Sequence, residues 1–176
     1  MSYGSTAVDW GSFCRDLFIE YFVQNINPVK LSGVVETDKS LFGRRTKYHR
    51  GMSRGHKVWI FGLVERDSNR LLLFPVDNRN ADVLLTLIQE HVNTGSTIYS
   101  DGWAEYNALS SLGCRHFVIE QKHAFKQICK DAVTGETITV HTNTIEGSWQ
   151  HAKAHFRRMN RTKIEHFEGH LCEMMA

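Results

Sequence analysis

Apolar residues near the start of the chain repeat with helical spacing. They recur at i, i+3, i+4, i+7, i+8, i+11 and i+12, which is the pattern of one helical face. We expect this helix to be capped by Asp9 and to end before Pro28. The segment 1–30 is therefore predicted as an N-terminal amphipathic helical segment, and 31–176 as the domain that follows it. The predicted apolar face consists of Trp10, Phe13, Cys14, Leu17, Phe18, Tyr21 and Phe22.

The middle of the chain combines β-type runs with helical runs. Three β-type runs separated by short turns come first, and two more follow, each after a helical run. Residues 121–142 have weak periodicity and are predicted to be irregular or partly hairpin-like. The predicted strands are 34–42, 57–65, 71–76, 97–100 and 115–120. The later predicted helices are 81–92 with Asn80 as N-cap, 103–112, 145–159 with Trp149 on its core face, and the remainder to 175.

The order of these elements predicts the fold class. Strands joined by short turns form an antiparallel meander, whereas strands separated by helices form parallel crossovers. A mixed five-stranded sheet with helices on both sides satisfies both conditions, and this is the ribonuclease H-like architecture. We therefore expect an α/β fold in which the first and fourth strands are adjacent and parallel.

Length and composition agree with a single domain. The 176 residues include 41% apolar residues, which is enough for one sizeable core. Neither a membrane span nor a secretory signal is visible, so we expect a protein that is not secreted and contacts no membrane, cytoplasmic or, in a eukaryote, nuclear. The cysteines are scattered, without a Cys-x-x-Cys pair, so we expect reduced, mostly buried thiols. They are Cys14, Cys114, Cys129 and Cys172.

One segment concentrates positive charge, although the net charge of the chain is only +2. Residues 39–57 contain seven basic residues and no acidic one, with aromatic residues and glycines between them. This composition predicts contacts with nucleic-acid phosphates, and the alternative is a solvated loop. The basic residues are Lys39, Arg44, Arg45, Lys47, Arg50, Arg54 and Lys57.

Three acidic residues stand where the predicted elements meet. Strand alternation places Asp38 on the same face as Glu36, Asp101 ends the fourth strand, and Glu146 lies near the start of a long helix. Each has a structural alternative. Asp38 can be a solvent-facing strand residue, Asp101 part of an Asp-Gly turn, and Glu146 the last residue of a capping box that starts at Asn143.

Glu146 also begins a polar stripe beside the core face of its helix, followed by Gln150, Lys153 and Arg157. Such a border can face the ends of the first and fourth strands. Three converging carboxylates offer the hard oxygen ligands that suit two Mg²⁺ or Mn²⁺ ions, and without cations they would repel one another. The pattern therefore indicates a two-metal site for phosphodiester chemistry.

Four segments in order resemble one family. They are Val-Glu-Thr-Asp at 35–38, followed by a Gly-Arg-Arg-rich stretch, Trp-Ile-Phe-Gly-Leu-Val-Glu-Arg at 59–66, Tyr-Ser-Asp-Gly-Trp-Ala-Glu-Tyr at 99–106, and His-Thr-Asn-Thr-Ile-Glu-Gly-Ser-Trp at 141–149. Together they resemble the Merlin superfamily of DDE transposases, which is related to bacterial insertion-sequence transposases of the ISXO type. The likeness runs from about Asp9 to the C-terminus.

The resemblance implies that Asp38, Asp101 and Glu146 hold the metals and carry the catalysis. A metal-activated water would cleave one strand at a transposon end. A freed 3′-hydroxyl would then attack target DNA without a covalent protein–DNA intermediate. It also implies assembly of several copies on DNA and a supporting role around the metals for His141 and Asn143, although His141 can equally be a helix-entry residue with a structural hydrogen bond. We further expect DNA contacts from Arg44, Arg45, Lys47, Arg50, Arg54, Lys153 and Arg157.

Three features depart from the family pattern. Lys39 follows the first Asp where the family often has Glu, the chain begins too late to contain an N-terminal DNA-binding segment, and it stops slightly early at Ala176. A fragment or a decayed copy of the element is therefore an alternative. The competing functions are a decayed or domesticated DNA-binding module without catalysis, and a simple metal-dependent nuclease of the same fold.

Histidine spacing raises a zinc hypothesis as well. Two pairs, His151 with His155 and His166 with His170, have the i, i+4 spacing that places both side chains on one helical face. No Glu follows His151 as in a metalloprotease motif, and no cysteine pair accompanies the histidines. The sequence therefore disfavours zinc.

Overall fold

The computed structural model describes residues 3–25, 29–43, 57–77, 80–101, 113–119, 127–130, 135, 137–159 and 166–175. The helices are α1 (Tyr3–Asn25), α2 (Ala81–His91), α3 (Asn143–Arg158) and α4 (Phe167–Met175). The strands are β1 (Val34–Phe42), β2 (Val58–Glu65), β3 (Leu71–Val76), β4 (Thr97–Asp101), β5 (Arg115–Ile119), β6 (Gln127–Lys130) and β7 (Thr137–Val140). The boundaries of the first five strands differ from the predicted ones by at most one residue. The helix predicted over 103–112 lies outside the described residues.

The main sheet has five strands in the order β3-β2-β1-β4-β5. Strand β1 is antiparallel to β2, and β2 is antiparallel to β3, whereas β1–β4 and β4–β5 are parallel. This is the ribonuclease H-like arrangement that the element order predicts. The register of the parallel pair sets Thr37 opposite Ser100, so the acidic residues that follow them, Asp38 and Asp101, end up on neighbouring strands.

Side chains alternate between the two faces of the sheet, and each face has its own apolar cluster. On one face Phe61 and Leu63 of β2 are buried in a cluster with Ile88 of α2. On the other face Ile60 and Val64 are buried in a cluster that includes residues of α3 and α4. Helices therefore cover both faces, as a mixed sheet buried on both sides requires.

Gly62 allows α3 to lie close to the sheet. A Cβ atom at this position would lie 2.7 Å from Cη2 of Trp149 and 2.9 Å from Cδ1 of Ile145. Because Gly62 is the register partner of Asp38 on β1, the indole of Trp149 reaches the sheet beside Asp38.

Helix α1 differs from the prediction in two respects. It begins at Tyr3, so Asp9 lies inside the helix and is not its N-cap. The predicted apolar face is not buried, and the exposed fractions of Trp10 and Tyr21 are 63% and 59%. Cys14, Phe13 and Leu17 are exposed too.

The reason is that α1 packs on α4 through a neighbouring side. A Cβ atom on Gly169 of α4 would lie 3.3 Å from both Cβ of Arg15 and Cδ1 of Ile19. The aliphatic part of the Arg15 side chain therefore packs against α4, where the hydrophobic pattern had predicted aromatic residues.

Several smaller predictions can also be compared with the structure. The region predicted as partly hairpin-like contains the antiparallel pair β6–β7. Asn80 precedes α2 with extended backbone angles, as an N-cap does, but makes no side-chain capping hydrogen bond. All four cysteines are free, yet Cys114 alone is buried, so the expectation of mostly buried thiols was wrong. None of the helices described here is long and apolar enough to cross a membrane.

Candidate active site

Asp38 and Asp101 form the centre of the candidate site. They occupy adjacent parallel strands, each one position beyond the register pair Thr37 and Ser100. The pKa of the Asp38 carboxyl is raised from 3.8 to about 6, chiefly by burial and also by the nearby charge of Asp101. Ionising both groups therefore costs free energy, and a cation between them would remove that cost.

Three interactions work in the opposite direction and favour the ionised form of Asp38. The backbone N–H of Lys39 donates to its carboxyl, the indole of Trp149 donates as well, and the charge of Lys39 makes the smallest contribution. Lys39, which departs from the family pattern, is thus close enough to influence Asp38.

Trp149 connects α3 to the acidic pair. Its Nε1 donates a hydrogen bond of 2.9 Å to Oδ2 of Asp38. The ring is buried over Gly62 and fits there because there is no Cβ at that position. This contact was not predicted, since the sequence pattern placed Trp149 only on the core face of the helix. Its place at the end of the 141–149 motif was the available signal.

Glu146 lies on the first turn of α3, three residues before Trp149. The N-cap of α3 is Thr142, not Asn143, because the helix begins one residue earlier than the capping-box alternative requires. The hydroxyl of Thr142 donates to Oε1 of Glu146 at 3.3 Å, and the Glu146 N–H donates to the Thr142 carbonyl at 3.1 Å. The capping-box interpretation of Glu146 was therefore wrong.

The three predicted ligands are not drawn together into one tight cluster. Within the part of the chain that the structure describes, the one group of three ligand-type side chains whose ligand atoms all lie within 4.8 Å of one another involves other residues. The structure thus brings Asp38 next to Asp101 and sets Glu146 on the first turn of α3, the helix whose Trp149 contacts Asp38. Convergence of all three on one pair of metal ions stays a prediction.

A buried carboxylate on β1 holds the start of α3. Glu36, which is fully buried, accepts hydrogen bonds from the backbone N–H of Ile145 (2.9 Å) and the hydroxyl of Thr144 (2.9 Å). Arg66 donates to the same carboxylate from Nε at 2.6 Å. The first-turn amides of a helix lack internal partners and attract negative charge. Glu36 therefore fixes the end of α3 that carries Glu146.

Arg66 extends this network to His141. Its Nη2 donates to the carbonyl of His141 (2.6 Å) and to His141 Nδ1 (2.8 Å), while its guanidinium lies 4.6 Å from the centre of the Tyr99 ring. The N–H of Asn143 also points to His141 Nδ1, at 3.4 Å. With both of these groups donating, Nδ1 acts as an acceptor. The contacts place His141 at the entry of α3, and its expected supporting role around the metals stays a prediction.

Neither Glu36 nor Arg66 was predicted as a site residue. Both lie in segments that carry the family resemblance. From the sequence alone, however, two charged residues there can equally be exposed to solvent. The burial of Glu36 and its contact with a helix that follows more than 100 residues later, at Ile145, appear only in the folded chain.

The predicted DNA-binding residues divide into two groups. Lys153 and Arg157 lie on α3, where Lys153 Nζ is 5.6 Å from the centre of the Phe42 ring and exposed Arg157 donates from Nε to the Lys153 carbonyl at 3.0 Å. The polar stripe that begins at Glu146 thus continues along α3 with cationic side chains, of which Arg157 is exposed. The remaining residues, Arg44, Arg45, Lys47, Arg50 and Arg54, lie outside the described residues.

Comparisons with known proteins indicate one family. Residues 30–175 match the model of the ISXO2-like transposase domain. An uncharacterized transposase-like protein of Haemophilus influenzae is 31% identical over 98 residues, which is 56% of this chain and 72% of that protein.

Solved structures similar to this chain include the following two. One is the catalytic core domain of BIV integrase, at 15% identity and a TM-score of 0.48, covering 82% of this chain and 81% of that one. The other is a chain of the simian T-cell lymphotropic virus intasome in complex with PP2A regulatory subunit B56 gamma, at 13% identity and a TM-score of 0.47. That match covers 85% of this chain, which spans 49% of that one.

Proposed function

Because the chain belongs to the ISXO2-like transposase domain family, we propose that it is the catalytic domain of a DNA transposase. In this proposal it cleaves phosphodiester bonds at the ends of a mobile element and joins the freed 3′-hydroxyl to target DNA. Asp38, Asp101 and Glu146 carry the reaction. The observation that carries the proposal is the juxtaposition of Asp38 and Asp101 on neighbouring parallel strands, under the helix that bears Glu146.

The acidic pair fits a divalent cation. Burial and the charge of Asp101 raise the pKa of Asp38 to about 6, so the metal-free pair is electrostatically unfavourable and a cation would stabilise its ionised form. Carboxylate oxygens suit Mg²⁺ and Mn²⁺, and the proposed ligands of two such ions are Asp38, Asp101 and Glu146. When bound, a metal pair of this kind activates the attacking oxygen and stabilises the leaving oxygen of a phosphodiester.

The surrounding residues have distinct roles in this proposal. Trp149 orients Asp38 and favours its ionised form through the indole hydrogen bond. Glu36 and Arg66 hold the first turn of α3 against β1, so that Glu146 stays beside the ends of the strands. His141 and Asn143 belong to the same helix entry and support it.

DNA is the proposed partner. Lys153 and Arg157 lie on the same helix as Glu146, and they would contact the phosphate backbone together with the basic residues of 44–54. Because two element ends are joined to target DNA, we propose that several copies of the chain assemble on the DNA.

Metal-dependent cleavage of element-end DNA tests the proposal. We expect Asp101→Asn to lose both Mn²⁺ binding at the acidic pair, measured by calorimetry, and cleavage. Asp67→Asn, in an exposed turn, is the matched control and should behave like the parent. Cleavage by Asp101→Asn at the parent's rate would overturn the assignment. Cleavage without joining would leave a metal-dependent nuclease, and DNA binding without cleavage would leave a non-catalytic module.

A further inference from the structure

A second group of ligand-type side chains lies between α3 and α4. His155 of α3 faces His170 and Glu173 of α4, and their ligand atoms all lie within 4.8 Å of one another. The separations are 3.4 Å for His155 Nε2 to His170 Nδ1, 3.2 Å for His170 Nδ1 to Glu173 Oε2, and 3.9 Å for His155 Nε2 to Glu173 Oε2. Three atoms with lone pairs therefore converge on one point.

Hydrogen bonding alone does not account for this convergence. His170 Nδ1 is close to both His155 Nε2 and Glu173 Oε2, and it carries at most one hydrogen. If that hydrogen points to Glu173, it does not serve His155. If Nδ1 instead accepts from His155, its lone pair faces the carboxylate. The first arrangement leaves the 3.4 Å contact between the two ring nitrogens without a shared hydrogen, and the second sets a lone pair against the carboxylate. A cation would satisfy all three atoms.

The separations match the dimensions of a tetrahedral zinc site. Zinc lies about 2.0–2.1 Å from imidazole nitrogen and about 2.0–2.2 Å from carboxylate oxygen, so ligand atoms at tetrahedral corners are about 3.3–3.4 Å apart. Two of the observed separations, 3.2 and 3.4 Å, are close to this value, and the third is 3.9 Å. We propose that His155, His170 and Glu173 bind Zn²⁺, with water as the fourth ligand.

The surroundings are suitable for such a site. His170 is buried, whereas His155 and Glu173 retain 32% and 40% of their side-chain exposure, so the ion has a route from solvent. His155 also lines a surface pocket of about 390 Å³ with Ser148 and His151. Phe156 packs edge-on against both imidazoles and limits their motion.

The proposed zinc site is separate from the acidic pair. His155 lies nine residues after Glu146 on α3, which is about 13 Å along the helix axis. The ligands also differ, because nitrogen donors favour zinc whereas the acidic pair offers oxygen alone. A zinc ion here would link α4 to α3 and so stabilise the helix whose other end carries Glu146.

Zinc and cobalt binding to the chelator-treated protein tests the proposal. Co²⁺ reports tetrahedral coordination through its visible absorption, competition with Zn²⁺ gives the affinity, and thermal unfolding reports the stabilisation. We expect one equivalent of Zn²⁺ to bind and to raise Tm. His155→Gln and Glu173→Gln are partly exposed changes that leave buried His170 in place, and each should weaken zinc binding by at least about 100-fold, more than is typical for loss of a residue that only supports a ligand.

Two controls make the result specific. His166→Gln, at an exposed histidine just before α4, should bind zinc like the parent, and so should Asp38→Asn. Equal metal-free Tm values for the parent, His155→Gln and Glu173→Gln would show that the ligand changes leave the fold intact. The proposal is overturned if the parent shows no zinc-dependent rise in Tm. It is also overturned if both ligand variants bind like the parent, or if binding depends on Asp38 and not on His155.

Discussion

Replacing Asp38 by Asn should stabilise the metal-free protein at neutral pH, although it removes a proposed metal ligand. The pKa of Asp38 is raised from 3.8 to about 6 by burial and by Asp101, so the folded chain holds this proton more tightly than the unfolded chain. The contribution of Asp38 to stability is therefore full below pH 3.8 and is lost as the pH rises through about 6. A shift of about two units corresponds to about 3 kcal/mol at pH 7, as an upper estimate.

Asn at this position carries no charge at any pH, and its side-chain oxygen can still accept the hydrogen bond from Trp149. In chemical denaturation with a chelator present, the stability of Asp38→Asn relative to the parent should increase by roughly 2 kcal/mol between pH 4 and pH 7. Addition of Mn²⁺ should stabilise the parent and not the variant at the acidic pair.

Asp67→Asn is the matched control, because Asp67 lies in an exposed turn, and its stability relative to the parent should not change over this range. A stability difference between Asp38→Asn and the parent that is the same at pH 4 and pH 7 would refute the electrostatic account of the acidic pair.

Three further predictions follow from the same geometry, and a fourth follows from the sequence. Glu146→Gln should abolish metal-dependent cleavage with little loss of stability, since Gln is a poorer metal ligand of similar shape. Glu168→Gln, also in the first turn of a helix, is the control and should cleave like the parent. Undiminished cleavage by the Glu146 variant would show that this residue has only a structural role. Lys39→Glu should raise the Mn²⁺ affinity measured by titration, because the charge of Lys39 already acts on Asp38; unchanged affinity would show that this departure from the family is harmless. Gly62→Ala should lower the free energy of unfolding by about 1–3 kcal/mol in thermal unfolding, because the added methyl group would collide with Trp149. Gly147→Ala, at a position with open space around the added methyl group, should be neutral or stabilising. Equal stability of the two variants would argue against close packing of α3 on the sheet. Alanine at three basic residues that lie outside the described part of the chain should flatten the slope of log K against log salt by up to about 2.7, at about 0.9 per phosphate contact, and a slope equal to the parent's would support a solvated loop. These residues are Arg44, Arg45 and Arg50.

The strand order could be predicted because it depends on few rules. Apolar runs identified the five strands, short turns made three of them antiparallel, and helical connections made the others parallel. The resulting neighbours, β1 and β4, are the strands that bring Asp38 and Asp101 together. Helix α1 shows the limit of this reasoning. The helical spacing of its apolar residues correctly predicted a helix. Which side of that helix is buried depends on where α4 lies, and α4 packs against Arg15 and Ile19.

The supporting contacts of the site could not be predicted in the same way. The bond from Trp149 to Asp38 requires the pairing of Asp38 with Gly62 and the close approach of α3, which are both long-range features. A tryptophan on the core face of a helix otherwise indicates packing alone. The histidines show the same difficulty, because spacing within a helix pairs His151 with His155, whereas the folded chain brings His155 to His170.

The most direct test of the proposed function is a strand-transfer assay. Element-end DNA with a free 3′-hydroxyl is incubated with a target plasmid and Mg²⁺ or Mn²⁺, using the parent, Asp38→Asn, Asp101→Asn and Glu146→Gln, with Asp67→Asn as control. The account predicts joined products that require the metal, appear with the parent and the control, and are absent with each of the three site variants. Joined products of equal yield from the Asp38 or Asp101 variant, or metal-independent joining by the parent, would contradict it.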